Sequence, residues 1–186
     1  VQNAGIALRK ALEWLEATPE QANAALDGGV RASDPVFIPY VAGERTPFVD
    51  ASLRGAWLGL GLDTDRQAML RSVIEGVAHA VTLGMQAVVD AGAHLPEPLP
   101  LIGGGTVDPR FRQLIADISQ RALLPTEEPD AAVIGAAFLA MPGEVTGSMA
   151  ASGAVAVEPN AARAELFQER RARLVDYVTS RASDPR

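Results

Sequence analysis

Three consecutive glycines, Gly103, Gly104 and Gly105, follow a short apolar stretch and precede the helix-start pair Asp108 and Pro109. Because glycine has no side chain, a flat ligand can lie directly against this backbone. The helix start behind the loop supplies unpaired N–H donors, but a carboxylate at that start would repel a phosphate group. The loop therefore suits the neutral end of a nucleotide, adenine and ribose, or it is only a glycine-rich turn needed for tight packing.

A dinucleotide-binding fold is the competing interpretation of this loop. Gly103 and Gly105 match the first part of the G-x-G-x-x-G fingerprint, and Glu127 follows the next predicted strand at about the right distance for a ribose-binding acid. The third glycine of the fingerprint would fall at position 108, which is aspartate. This departure weakens the interpretation as a dehydrogenase.

Lys10 is the only lysine of the chain. A P-loop requires G-x-x-x-x-G-K-[ST], and a protein kinase requires a strand lysine that pairs with the phosphates. Lys10 has neither context. If the chain handles ATP, it belongs to a class of ATP-binding proteins that does not depend on lysine in this region.

Composition excludes several other functions for the 186 residues. The net charge of −7 and the lack of a basic stripe disfavour nucleic-acid binding. With two histidines and no cysteine, a histidine-rich metal site and thiolate chemistry are excluded. The N-terminus resembles no secretory signal and no apolar run approaches the roughly 20 residues of a membrane helix, so we expect a cytoplasmic protein without a membrane partner. Arginines near the C-terminus alternate with acidic residues and predict a solvated helix face: Arg163, Arg170, Arg171 and Arg173.

Helices and short strands alternate along the chain, which predicts an α/β architecture. Two capping boxes are predicted, one at Thr18 with Gln21 and one at Thr64 with Gln67. Gly76 and Gly84 interrupt the longest helix and indicate a close approach of another backbone. Helices are predicted at 4–17, from 18 to about 28, and at 65–91, 108–122, 131–140 and 161–181, with strands at 36–38, 101–102 and 123–124. Residues 142–157, rich in Gly, Ser, Ala and Val, are predicted to form a mobile connection.

Four motifs, in order along the chain, resemble segments of the FGGY family of sugar kinases, and of xylulokinases in particular. The first, FIPYVAGERTP, begins at Phe37, and the second, GAWLGL followed by SVIEG, begins at Gly55. The third is LIGGG from Leu101, with FRQ and ADI in the helix behind it. The fourth is GAA from Gly135. Together these matches extend over residues 1 to about 140.

The resemblance implies an actin-like ATPase (ribonuclease H-like) C-terminal domain, here a single partial domain over residues 1–186 without its first strands. It also implies ATP and Mg²⁺ as cofactors, and transfer of the γ-phosphoryl group to a ketose, with D-xylulose giving D-xylulose 5-phosphate as the expected reaction. The sugar-binding domain, the aspartate base and the loops that hold phosphate and Mg²⁺ are expected upstream of Val1, so no catalytic or metal-binding residue is assigned here. The alternatives are another substrate of the family (glycerol, gluconate or ribulose), or a nucleotide-binding regulatory module without transfer activity.

The resemblance assigns seven residues to the nucleotide: Gly5, Arg9, Gly103, Gly104, Gly105, Thr106 and Phe111. The three glycines of the loop would receive adenosine, and Gly5 and Arg9 would border it from the other side. Thr106 and Phe111 stand where the family usually has alanine and tryptophan. Uncovered sheet edges are further expected to favour association of copies of the chain.

Five other residues could take part in catalysis or binding by their side-chain type, but we predict structural roles for them. Glu44 and Arg45 are predicted to form a charged pair that pins their loop, and Asp50 does not match the position of the family's base. His79, on the longest helix, is expected to be an ordinary packed or surface residue, and Trp57 is expected to belong to the core.

Overall fold

In the computed structural model, residues 4–126, 131–140 and 154–182 are described, and they form an α/β fold. The helices are α1 (Ala4–Trp14), α2 (Pro19–Ala25), α3 (Arg66–Asp90), α4 (Pro109–Ser119), α5 (Ala131–Ala140) and α6 (Ala164–Ala182). The strands are β1 (Val36–Ile38), β2 (Ala56–Leu58), β3 (Leu99–Leu101) and β4 (Leu123–Pro125). Short 3₁₀ turns cover Leu26–Gly28, Gly104–Thr106 and Ala161–Arg163.

The strands form two small sheets. β1 and β2 pair antiparallel, with Phe37 opposite Trp57. β3 and β4 pair parallel, with Leu99 opposite Leu123, and α4 is the crossover between them. Ligands of parallel α/β units bind beyond the carboxyl ends of the strands, and the triple-glycine loop lies at that end of β3.

Helix α3 is the centre of the fold. Its 25 residues contact α1, α2, α4 and β1, and fourteen of them are buried. By length and composition alone, α3 is long and apolar enough to cross a membrane. The expectation that no apolar stretch of the chain approaches the length of a membrane helix is therefore corrected. Its burial, which includes Arg71, Glu75 and His79, identifies it as the core helix of the described fold.

Gly76 is the point at which α3 meets β1. A Cβ atom added there would lie 2.4 Å from the backbone oxygen of Phe37, a separation that no side chain tolerates. The close backbone approach predicted for Gly76 is therefore confirmed. It allows Phe37 to pack with Val73 in the interior.

Several predicted boundaries differ from the structure. The cap of α3 is Asp65, which accepts a hydrogen bond from the Ala68 N–H, while the Thr64 hydroxyl accepts from Gly61 instead. The β3 strand ends at Leu101 rather than beginning there. The predicted mobile connection lies outside the described residues up to position 153, and Val157 pairs with Leu123 through two backbone hydrogen bonds.

A buried ion pair joins α6 to α3, contrary to the expectation that the C-terminal arginines form a solvated face. Arg170 is 1% exposed and donates to both carboxylate oxygens of Glu75, at 2.5 and 2.6 Å. Its other N–H groups donate to the backbone oxygens of Asp34 and Pro35, both at 2.8 Å. Because a buried charge must be paired and hydrogen-bonded, these contacts hold α6 against the segment that leads into β1.

We expect this network to make the protein sensitive to acid. Burial would raise the pKa of Glu75, but the hydrogen bonds from His79 and Arg170, and their charges, outweigh it and hold the pKa below its ordinary value of 4.5. The pKa of Asp34 is likewise held below its ordinary value, with burial opposed by hydrogen bonds from Arg71 and Arg31. A carboxylate whose pKa is lower in the folded state than in the unfolded state stabilises the fold at pH values above its unfolded-state pKa. This contribution is lost as the pH falls through the folded-state pKa.

The measurement is the free energy of unfolding by urea between pH 7 and pH 3. We expect it to fall below about pH 4.5. In the Glu75→Gln variant the fall should be shallower, because the group that binds a proton on unfolding has been removed. If the free energy of unfolding falls equally at low pH in the variant and in the parent protein, Glu75 does not contribute to the acid sensitivity.

Candidate functional site

A cavity of about 700 Å³ lies between α1, α2, α3, the triple-glycine loop and the start of α4. The main members of its apolar wall come from the three helices α1, α3 and α4: Leu8, Ile74, Val77, Val81 and Phe111. The α3 residues are largely buried and belong to the rigid centre of the fold. An apolar wall of this size with a few polar groups at its rim is typical of a small-ligand site.

Backbone of the triple-glycine loop forms another part of the cavity lining. Gly103 has φ 121° and ψ 154°, a conformation that essentially only glycine adopts. Thr106 closes the turn, because its N–H and its hydroxyl both donate to the Gly103 oxygen, at 3.0 and 2.7 Å. A Cβ atom at Gly5, Gly103 or Gly105 would meet no other atom within 4 Å. Open space therefore adjoins the backbone at Gly5 and at the glycine loop, as a flat ligand requires.

The start of α4 is already occupied by a carboxylate of the chain. Asp108 accepts from the Arg110 N–H at 2.9 Å and pairs with the Arg110 guanidinium at 2.7 Å. The hydrogen bond from Arg110 is the main cause of the lowered pKa of Asp108, so this carboxylate is ionised at neutral pH. Arg110 also binds Asp27 at 3.1 Å. This helix start does not offer free N–H groups to an anion, which favours an uncharged ligand group at the loop.

The structure brings most of the sequence-predicted site residues to this one cavity. Five of them line it: Gly5, Gly103, Gly105, Thr106 and Phe111. Gly104 belongs to the 3₁₀ turn that Thr106 ends. Arg9 is exposed on α1 and is not among the lining residues. Their role in binding a nucleotide stays a prediction.

Sequence reasoning missed the contribution of α2 to the cavity. Glu20 and Asn23, three residues apart on α2, both line it. The capping box of Thr18 with Gln21 is confirmed, with both hydrogen bonds present, and it fixes where α2 begins. The capping box contains no information about which face of α2 lines the cavity, since that depends on how α2 packs on α3.

The loop after β1 is pinned differently from the prediction. Glu44 is buried and accepts from the backbone N–H groups of Arg45 and Thr46, at 2.7 and 3.3 Å. The Arg45 side chain is exposed, so the loop is held by hydrogen bonds from its own backbone to Glu44 rather than by a Glu–Arg ion pair. Asp50 caps a turn by accepting from the N–H and hydroxyl of Ser52, at 2.7 and 2.6 Å.

The expectation of a packed histidine is confirmed for His79, whereas Trp57 is half-buried and packs against the core cluster that contains Phe37. The Trp57 ring lies 4.7 Å from the Phe37 ring, and its indole N–H donates to the Ser72 hydroxyl at 3.1 Å. His79 is completely buried and its Nε2 lies 3.2 Å from Glu75. Within the described ranges no group of three or more His, Asp or Glu residues is placed to hold a metal ion. Glu127 lies outside those ranges.

Comparisons with known proteins agree with this architecture. Residues 3–143 match the model of the "FGGY family of carbohydrate kinases, C-terminal domain". The chain is 34% identical over 115 residues to a xylulose kinase of Staphylococcus xylosus, which is 62% of this chain and 24% of that protein. It is 38% identical over 101 residues to the Escherichia coli K12 xylulose kinase, covering 54% of this chain and 21% of that one.

Solved structures show the same fold over almost the whole chain. A "xyloylose kinase" from Brucella ovis superposes with a TM-score of 0.82 at 29% identity, and it covers 97% of this chain and 39% of its own. A ligand-bound xylulose kinase from Lactobacillus acidophilus gives a TM-score of 0.84 at 24% identity, with coverages of 99% and 39%. The chain thus spans about two fifths of the length of these kinases and about a quarter of the curated relatives. It belongs to the FGGY family of carbohydrate kinases and has the actin-like α/β fold of their C-terminal domain.

Proposed function

We propose that the chain is the ATP-binding portion of a sugar kinase that transfers the γ-phosphoryl group of ATP to a ketose, with D-xylulose as the acceptor. The observation that carries the proposal is the cavity itself, in which backbone from two separate glycine positions, Gly5 and the 103–105 loop, adjoins open space. The choice of D-xylulose is supported by the names of the relatives, several of which are xylulose kinases.

In this proposal the adenine ring lies in the apolar part of the cavity and the glycine backbone faces the nucleoside. Leu8 and Phe111 supply apolar contact, while Thr106 fixes the loop rather than binding the ligand. The phosphates point away from Asp108, since two negative charges repel. Arg9, exposed beside the cavity on α1, is proposed to border the nucleotide from outside the lining residues.

The chemistry of phosphoryl transfer explains what an ATP-binding portion contributes to the reaction. Phosphoryl transfer depends on the alignment of the reactants and on neutralisation of charge more than on covalent chemistry by the protein. Mg²⁺ would arrive with ATP and would supply neutralisation of the phosphate charge, and no described residue is assigned to hold it. The residues described here bind and orient the nucleoside, and closure of a cleft against a sugar-binding portion would exclude water.

The test fills the cavity from the side of α1. In the Gly5→Leu variant the new Cβ atom would meet no other atom within 4 Å, so the fold should be kept and helix propensity should rise. We expect the affinity for ADP, measured by calorimetry, to fall at least about tenfold, equivalent to about 1.4 kcal/mol.

Gly135→Leu is the matched control. Gly135 is also a helical glycine with open space around its Cβ position, but it does not line the cavity, so ADP affinity should not change. Equal ADP binding by the Gly5→Leu variant and the parent protein would place the nucleotide elsewhere.

A further inference from the structure

Among the described residues, five polar side chains line the cavity, and three of them are already engaged with the protein. The Thr106 hydroxyl donates to the Gly103 oxygen at 2.7 Å. Asp108 and Arg110 pair with each other at 2.7 Å, and Arg110 also binds Asp27. These three side chains hold the loop and the start of α4 in place through contacts within the protein.

The remaining two polar side chains, Glu20 and Asn23, both belong to α2. Residues three apart lie on the same face of a helix, so both can face the cavity together. Glu20 is exposed, and the pKa of its carboxyl is lowered by a hydrogen bond from its own backbone N–H and by Thr18. As an ionised carboxylate it can only accept hydrogen bonds. Asn23 is half-buried, and its side-chain amide forms no hydrogen bond with the described residues.

The Asn23 amide has the chemistry that an adenine edge requires. It carries one acceptor oxygen and one N–H₂ donor side by side. Adenine presents its 6-amino group, a donor, beside a ring nitrogen that accepts, and an Asn amide pairs with that edge through two hydrogen bonds. Of the described side chains that line the cavity, Asn23 is the one that offers a free donor and a free acceptor together.

We propose that Asn23 reads the 6-amino edge of the adenine base and thereby sets the base preference of the site. The proposal rests on the nucleotide function proposed above for the cavity. It assigns to α2 a specificity-determining role that the glycine loop cannot fill, since a glycine backbone lets every flat base approach equally.

A thermodynamic cycle isolates the contact. ADP and the 5′-diphosphate of purine riboside, which lacks the 6-amino group, are titrated by calorimetry into the parent chain and into Asn23→Ala. We expect removal of the amino group to weaken binding about 5- to 10-fold in the parent chain, the usual effect of a hydrogen bond lost from a partly buried partner. In Asn23→Ala the two ligands should bind within about twofold of each other, because the partner of the amino group is gone.

A second variant tests the donor and acceptor pattern. Asn23→Asp presents acceptors only, and guanine offers two N–H donors on its base-pairing edge. The ratio of GDP affinity to ADP affinity should therefore rise relative to the parent chain, and the added charge cancels in that ratio. Gln86→Ala is the control for loss of an amide, since Gln86 is exposed on α3 and binds Asp90 away from the cavity. It should show the same base preference as the parent chain.

The outcomes separate this proposal from the one on which it rests. If the parent chain binds ADP and its analogue equally, or if Asn23→Ala keeps the full preference for ADP, the role of Asn23 is overturned while the nucleotide site stands. If the parent chain binds no ADP, the nucleotide function and the role of Asn23 are overturned together.

Discussion

The Arg170→Met variant is expected to lose about 3–5 kcal/mol of the free energy of unfolding, the usual cost of breaking a buried ion pair by removing one partner. The loss has two causes. Glu75, which is 1% exposed, would lose the two short hydrogen bonds from the guanidinium, and His79 would be its remaining charge-bearing contact. The backbone oxygens of Asp34 and Pro35 would lose their donors at the same time.

Urea unfolding at neutral pH measures this loss, with two further variants as controls. Arg173→Met removes an exposed arginine from the same helix and should change stability by less than about 0.5 kcal/mol. The double variant Glu75→Gln with Arg170→Met should lose less than the sum of the two single losses, because neither charge is then left unpaired. A loss in Arg170→Met no larger than in Arg173→Met would show that the pair contributes nothing to stability.

Local features of the fold were predictable from sequence because they depend on neighbouring residues. Thr18 with Gln21 marks the start of α2, and Asp108 with Pro109 marks the start of α4, as the structure shows. The cap of α3 was displaced by one residue, because the Thr64 hydroxyl has a competing partner in the Gly61 N–H. A sequence motif does not show which of two adjacent residues, Thr64 or Asp65, will cap the helix.

Contacts between distant segments were harder to predict. Arg170 alternates in sequence with acidic residues, which is the pattern of a solvated helix face, yet its partner Glu75 lies 95 positions away. Gly76 was a more informative signal, because a glycine inside a long helix costs helix propensity and indicates a close backbone contact. Its neighbour, Phe37, became known only from the structure.

In the candidate site, too, the local feature was predictable from sequence and the contacts between distant segments were not. The glycine loop carries a motif, and the cavity lies beside it. Helix α2 carries no motif that points to a ligand, so Glu20 and Asn23 were identified only from the packing of α2 on α3, which places them in the lining of the same cavity as the loop. Motifs thus indicate the backbone side of this cavity, and the side chains that would give it selectivity depend on tertiary packing.

This chain by itself is expected not to phosphorylate D-xylulose at a measurable rate, an expectation that rests on the proposed function. A general base typically contributes about 10²–10⁴-fold to such a reaction. Correct positioning of two reactants contributes roughly 7–11 kcal/mol more. The chain spans about two fifths of the solved kinases it resembles, and Asp50 is engaged with Ser52 in a turn. Among the described residues, no carboxylate cluster is placed to hold Mg²⁺.

A coupled assay of ADP release, with ATP, Mg²⁺ and D-xylulose, tests this expectation beside an intact xylulose kinase. We expect the sugar-dependent rate of this chain to be below about one hundredth of the intact enzyme's rate, since the contribution of a base alone accounts for that factor. ADP binding should nevertheless persist, because the cavity at the glycine loop is formed by this chain. Sugar-dependent turnover within about a hundredfold of the intact enzyme would mean that these 186 residues contain a base and a sugar site. The carboxylates of the loop after β1, Glu44 and Asp50, would then be the first to replace.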